Sequence, residues 1–537
     1  MKKHHIGLDL IGILGIILAS CGSKMTPMPI VTTSTPIPTI QPSTTPAPTL
    51  WVAPYVPEEL SQSIVLPEGW GFGEPSATTS RLEIGDQNVV SRWVYTLVVP
   101  FPTIIDDVTS GEMKSAWQGN PSPSFGSHLL MEQNTRDVFA DWWGEPANSV
   151  VRVLPPDKLV STAWDDMTSW AIIPFEQIEP HWKVLSIDSS SPLRKEFDLI
   201  TYALSVPFSL SGGTLTLAVS NRDPDKLTTV ITSGTTALVR GTAVMMEEKG
   251  VLYPGENIAL MLQNADITHV SNEISFVDRC PRPKFGTDSL VFCSNPKYIQ
   301  LLESIGTDVV ELTGDHFSDY GPEAMVYTLE MYKQRGWKTY GGGENLKEGL
   351  SPATFTHNGN KIAFVGCNAK GVGYYAAASD TNPGAAACGY DTLHTEIEQL
   401  KQEGYVVIAT FQHQEYYQYT VRPEYRPDFT GVVDAGADIV SGSQAHQPQN
   451  FEFYRNGFIH YGPGNLFFDQ YIKMGGDETP LERAFIDRHV IYNGKYINTE
   501  LLTIKFTDFA QSRFMTPEER ADFLDLMFSA SSWEAVR

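Results

Sequence analysis

Carboxylate, amide and imidazole residues recur in this sequence where apolar, β-like runs stop. Gly241-Thr242 follows Ala237-Leu-Val, and Ser271-Asn272-Glu273 follows Ile267-Thr-His-Val. Asp308-Val-Val-Glu-Leu312 runs into Gly314-Asp315-His316, with Asp319-Tyr320-Gly321 just beyond. Tyr405-Val-Val-Ile-Ala409 leads to Phe411-Gln412-His413-Gln414-Glu415, and Ala437-Asp-Ile-Val440 leads to Gly442-Ser443-Gln444-Ala445-His446. Gly464-Asn465 and Phe468-Asp469 close the series. Ligands such as these, brought from successive strand ends, can meet at one divalent ion without any contiguous motif. Singly, each has a plainer explanation. A lone His after a strand is more often a hydrogen-bonded loop residue, Asn272 and Glu273 can close a turn, and Asn465 suits the residue after a glycine.

Elements that could hold these groups together are visible from about residue 235. Apolar, β-branched runs at 361–365, 405–409 and 437–440 alternate with helical patterns at 256–263, 296–305, 322–334, 391–402 and 427–434. Continuous apolar strands between amphipathic helices predict sheets covered by helices. Segments 451–454, 457–461, 488–492 and 496–506 read as further strands, and a final helix is expected from Thr516 to about Trp533. In open α/β folds ligands collect at the carboxyl ends of strands, where the polar residues above lie.

The ordered segments "ITHVSNE", "VVELTGDHFSDYG", "YGGGEN", "VVIATFQHQEYY", "DAGADIVSGSQAHQPQ" and "FIHYGPGNLFFDQ" resemble the CapA-type poly-γ-glutamate capsule-synthesis proteins of the calcineurin-like metallophosphoesterase superfamily. The resemblance spans about 236–475. It implies a four-layer α/β/β/α sandwich at 235–510 with a metal centre at the strand ends, and a role in making or exporting a capsule polymer. Asn272 and Glu273 match the family's second motif, and Asn465 and Asp469 its last. The departures are as informative. Thr242 stands where the family has Asp, Phe411 where "HWGxEY" supplies His, with His413 two places on, and Gly442-Ser443-Gln444-Ala445-His446 replaces Gly-His-His-Pro-His. The usual two-metal set is therefore incomplete. What remains, Asn272, Glu273, Asp315, His446 and His413, implies at most a single divalent ion (Mn, Mg or Zn). His316 is the candidate acid for a leaving group, and Asp315 either orients it or binds the ion. Thr242, Asp319, Gln412, Glu415, Gln444 and Asn465 are expected to line the cleft. The alternative is a degenerate, metal-free pocket that binds polymer or solute without catalysis.

Upstream, Lys2 and Lys3 precede an apolar run ending in Leu18-Ala19-Ser20-Cys21, a secretory signal whose end resembles a bacterial lipobox. Cys21 is then the lipidated residue of an extracytoplasmic, membrane-anchored protein; a short anchor helix with an incidental cysteine is the alternative. Residues 22–50 hold seven prolines and eight threonines, the composition of an extended tether. Residues 51–234 mix strand-like runs (Trp93–Pro100, Trp170–Pro174) with the helix-like Thr109–Trp117, and loosely resemble a two-lobed solute-binding domain; a domain that merely spaces or partners the next is the plainer reading. In an oxidising compartment the four remaining cysteines favour local disulfides, Cys280–Cys293 and Cys367–Cys388, over a metal cluster with unsuitable spacing.

Composition narrows the partners. The 537 residues carry 38 Lys and Arg against 63 Asp and Glu, a formal charge of −25. Nucleic-acid binding needs the opposite balance and is excluded as an expectation. A cell-surface anionic polymer, or the machinery that makes it, is the expected partner. Such a protein needs a local basic or metal-bearing cleft to hold a polyanion; Arg422 and Arg426 are the nearest basic residues in sequence, a solvated loop being their plainer explanation.

Overall fold

A computed structural model describes residues 47–122, 125–126, 128–286, 290–470 and 480–536, and Pro48–Arg537 form one compact unit. The lipobox and nearly all of the Pro/Thr-rich stretch lie outside the described residues. The stretch ends earlier than its composition suggests: Leu50 is fully buried in the strand Thr49–Val52.

Residues 49–210 build a nine-stranded mixed sheet around the long strand Val89–Pro100. Its first half pairs with Ser205–Leu210 and its second with Trp170–Pro174 and Trp182–Val184. Helix Ser110–Trp117 begins in a capping box between Thr109 and Glu112, which satisfies amide donors otherwise orphaned at a helix start.

The second part starts upstream of the expected boundary at 234. Strand Leu227–Ser233 already pairs in parallel with Ile267–Asn272 and antiparallel with Arg483–Tyr492, so it belongs to the following sheet. That sheet continues through Val309–Glu311 and Lys338–Tyr340 on one side and Lys495–Thr507 and Gln511–Phe514 on the other. A six-stranded sheet follows, ordered Ala353–His357, Asn360–Asn368, Val406–Gln412, Ile439–Ser441, Gly457–Gly462, Gln449–Tyr454. The two sheets face each other across one apolar layer that includes Val230, Ile267 and Val309 from the first and Phe364, Ile408 and Phe458 from the second. Helices Ile299–Ser304 and Gly321–Gln334 cover the outside of the first sheet, helices Tyr390–Gln402 and Arg426–Asp434 the outside of the second. The result is the α/β/β/α sandwich.

Two local expectations are corrected. Residues 237–239 do not form a regular strand; they lead into helix Arg240–Lys249, so Gly241 and Thr242 sit in its first turn. At the C-terminus, Gln511–Phe514 is an edge strand, and only Pro517–Ala530 is helical, started by a Thr516–Glu519 capping box.

The two parts are joined by apolar packing and by ion pairs. Leu227, Val490 and Ile497 belong to the same core as the first sheet. Arg194 meets Glu500 at 2.8 Å and Arg520 meets Asp106 at 2.8 Å.

Candidate metal centre

Both sheets point the carboxyl ends of their parallel strands at one cleft. Strand Ile267–Asn272 delivers Glu273, and the turn after Val309–Glu311 delivers Asp315 and His316. A Cβ at Gly314 would stand 2.6 Å from the Cα of Glu273, so only glycine lets this turn approach closely enough. From the second sheet come Lys370, after Asn360–Asn368, Glu415, after Val406–Gln412, and His446, after Ile439–Ser441.

The donor atoms form two groups that share Glu273. Glu273, Asp315 and His316 lie within 4.8 Å of one another, as do Glu273, Glu415 and His446. Glu273 is 1% exposed, and among the described residues neither carboxylate oxygen has a hydrogen-bond partner. A buried carboxylate is ordinarily satisfied; an orphaned one aimed at two imidazoles is the feature expected of a cation ligand.

Neighbouring groups fix the others. His316 Nδ1 bonds Asp319 Oδ2 at 2.8 Å, and Asp319 also accepts from the Phe292 amide at 2.7 Å and the Tyr374 hydroxyl at 2.6 Å. His446 Nδ1 bonds Asn465 Oδ1 at 2.9 Å, and its Nε2 lies 3.8 Å from Glu415. Asp315 accepts from Gln412 Nε2 at 2.7 Å through one oxygen and from Lys370 Nζ at 2.6 Å through the other. Lys370 Nζ reaches Glu415 as well, at 3.2 Å, and lies 5.3 Å from the centre of the Tyr375 ring.

Burial and mutual charge set the protonation. Burial, with the nearby Asp315 and Glu415 charges, raises Glu273 to about 7 against the opposing pull of His446 and His316. Burial opposes charge on His316, but the Asp319 hydrogen bond and the charges of Glu273 and Asp315 outweigh it and raise the imidazole to about 9. His446 is likewise raised against burial by Glu415 and Glu273, and Lys370 by Asp315 and Glu415. Glu415, whose side chain is 27% exposed, is held well below the usual carboxylate range: His446 and Lys370 outweigh its burial.

The expected site is thus partly assembled. Glu273, Asp315, His316 and His446 converge, and Glu415, expected as lining, joins them with a ligand atom. Asn272 is held on its nitrogen side, which donates to Tyr332 Oη and the Ile274 carbonyl, both at 2.7 Å, while its buried Oδ1 has no hydrogen-bond partner among the described residues. Adjacent residues of extended chain project to opposite faces. His413, next to Gln412, is turned away for that reason. Its ring stacks on Tyr425 and Phe429 beneath the outer helix, 3.5 Å from Asp428, and burial lowers it to about 4. The Thr242 hydroxyl donates to the Phe509 carbonyl at 2.9 Å and does not face the cluster. Gln444 donates to Ser271 Oγ at 2.6 Å. Asp319, not Asp315, orients His316. Asp469 serves the fold, accepting from Arg240 and from the Gly241 amide at the start of helix Arg240–Lys249.

Lys370 lies outside the motifs that the sequence singles out. Its signal is its place just beyond the end of the 361–365 run, where Asn368 and Lys370 follow the strand. The disulfide Cys367–Cys388 ties this strand end down, and Asn368 Nδ2 donates to the Thr313 carbonyl and Gln412 Oε1, each at 2.8 Å. The second disulfide joins Cys280 to Cys293. Both are the local pairs that the spacing favoured.

Carboxylates and imidazoles thus meet at the strand ends of a two-sheet α/β/β/α sandwich. Residues 229–470 match the family described as "Bacterial capsule synthesis protein PGA_cap". The chain is 25% identical over 285 residues to "Capsule biosynthesis protein CapA" of Bacillus anthracis, covering 52% of this chain and 67% of that protein. It is 25% identical over 203 residues to "PGA biosynthesis protein CapA" of Bacillus subtilis, covering 37% of this chain and 52% of that protein. Among solved structures, a putative 5'-nucleotidase from Staphylococcus aureus is similar at a TM-score of 0.34 and 12% identity, over 57% of this chain and 58% of that one.

Proposed function

We propose that this is a cell-surface lipoprotein serving the synthesis or export of an anionic capsule polymer of the poly-γ-glutamate kind, and that its cleft binds one divalent ion in a hydrolase-like centre. The observation that carries the metal reading is Glu273, buried between His316 and His446 with both oxygens unpartnered among the described residues. Glu273 with His446 and Glu415 would hold the ion. When bound, such an ion polarises a phosphoryl or carbonyl oxygen and lowers the pKa of a coordinated water. The chain's own contribution is separate. His316, fixed by Asp319 and charged at neutral pH, is placed to give a proton to a leaving group, and Gln412 holds Asp315 in place.

Surface location and lipid attachment rest on the Leu-Ala-Ser-Cys21 segment, and the two disulfides suit an oxidising, extracytoplasmic setting. Mn²⁺ titration calorimetry on the wild type, Glu273→Gln and His446→Ala, with hydrolysis of a generic phosphodiester as a second readout, tests the reading. One ion per chain, lost in Glu273→Gln, is expected; a wild type that binds none sinks the metal-dependent reading. A second reading, a polymer-binding cleft without catalysis, is favoured by Asp315, whose two oxygens are both engaged by protein groups. One bound ion without phosphodiester hydrolysis would support it.

A further inference from the structure

The cleft has donor groups for two cations but already contains one. The two groups share Glu273, as a bridging carboxylate would be shared between two ions. One acid of each, Asp315 from the first and Glu415 from the second, is bound to the same ammonium, at 2.6 and 3.2 Å. The Lys370 side chain is 5% exposed, and its ammonium is backed by the Tyr375 ring. We infer that Lys370 is a built-in cation that stands in for one of two metal ions, so that the cleft takes a single divalent ion and keeps a fixed positive charge beside it.

The inference rests on the metal reading above and refines it. The Lys370 position is not adventitious. Its own amide donates to Asn368 Oδ1 at 2.8 Å, Asn368 is held by the Thr313 carbonyl beyond the facing sheet's strand and by Gln412 on the neighbouring strand, and Cys367 is bonded to Cys388. A surface lysine searching for a partner has no such framework. An ammonium carries half the charge of a divalent ion and offers donors where an ion offers empty coordination positions, so it offsets one of the two charges on Asp315 and Glu415 without activating water. Its place beside the ion suits an anionic group of a substrate, phosphate or carboxylate, which would meet a point charge on one side and the ion on the other.

The full chain is titrated with Mn²⁺ by calorimetry, with bound metal counted by elemental analysis after dialysis. Wild type and Lys370→Arg are expected to bind one ion per chain; Lys370→Met, which frees both acids, two. Lys370→Gln serves the same purpose should Lys370→Met fail to fold. A wild type binding one ion that Glu273→Gln abolishes, with both neutral variants still binding one, overturns the inference and leaves the metal reading standing. A wild type that binds two ions overturns the inference as well. A wild type binding none removes the metal reading and the inference with it. If neither neutral variant folds in excess Mn²⁺ while Lys370→Arg does, metal cannot replace the ammonium and the inference falls.

Discussion

Glu273→Gln inverts the usual expectation for a buried polar residue: without metal the variant should be the more stable protein. The wild-type carboxyl is raised from 4.5 to about 7, chiefly by burial. Between these values the folded state holds a proton that the unfolded state has released, so stability falls as pH rises through the window. The penalty is complete above about pH 7. At about 1.4 kcal/mol per unit it amounts to about 3 kcal/mol. Gln matches the neutral carboxyl in size and polarity and carries no such penalty. Unfolding entropy of about 2 cal/mol/K per residue, over the roughly 490 residues of the folded unit, converts the gain to about 3 °C in Tm. Differential scanning of both proteins in chelator at pH 8 and pH 5 is the assay. A gain near 3 °C at pH 8 that shrinks to below about 1 °C at pH 5 is expected. Excess Mn²⁺ at about 100 times Kd should then stabilise wild type by about 2.7 kcal/mol and leave the variant unmoved. A loss of Tm at pH 8, or a gain equal at both pH values, would refute the reasoning, because then the Glu273 charge is not the strained group.

Acid should act elsewhere. His489 is buried, accepts or donates only to Thr232 and Thr499 hydroxyls, and is lowered to about 4 by burial and by the nearby His460 and His269, against the pull of Asp487. The unfolded state takes up its proton below pH 6.5 and the folded state does not, so up to about 3 kcal/mol is lost between pH 6.5 and 4; His489→Gln should flatten that part of the stability curve measured by urea titration. Asp319→Asn removes the charge that keeps His316 protonated, and an NMR titration should show the imidazole moving down from about 9 while the fold is retained. Arg240→Ala leaves the fully buried Asp469 unpaired, and a loss of about 3–5 kcal/mol in chemical denaturation is expected. Opening the Cys367–Cys388 loop of 21 residues by Cys367→Ala with Cys388→Ala should cost about 3 kcal/mol of stability, measured by chemical denaturation.

The sequence by itself determined the α/β alternation and the helices at 321–334, 390–402 and 426–434, and it favoured both local disulfides. Apolar periodicity fixes each element, and the element fixes where its polar end lies. Tertiary structure decided which side chains enter the cleft. His413 carries a suitable donor next to Gln412, but pleating turns neighbours to opposite faces, and the outer helix with Tyr425 and Phe429 claimed it, as Tyr332 claimed the amide nitrogen of Asn272. It also decided that Lys370 stands between Asp315 and Glu415. Those residues are 55 and 45 positions from it, and only the facing of two sheets brings them within contact, which no spacing along the chain encodes.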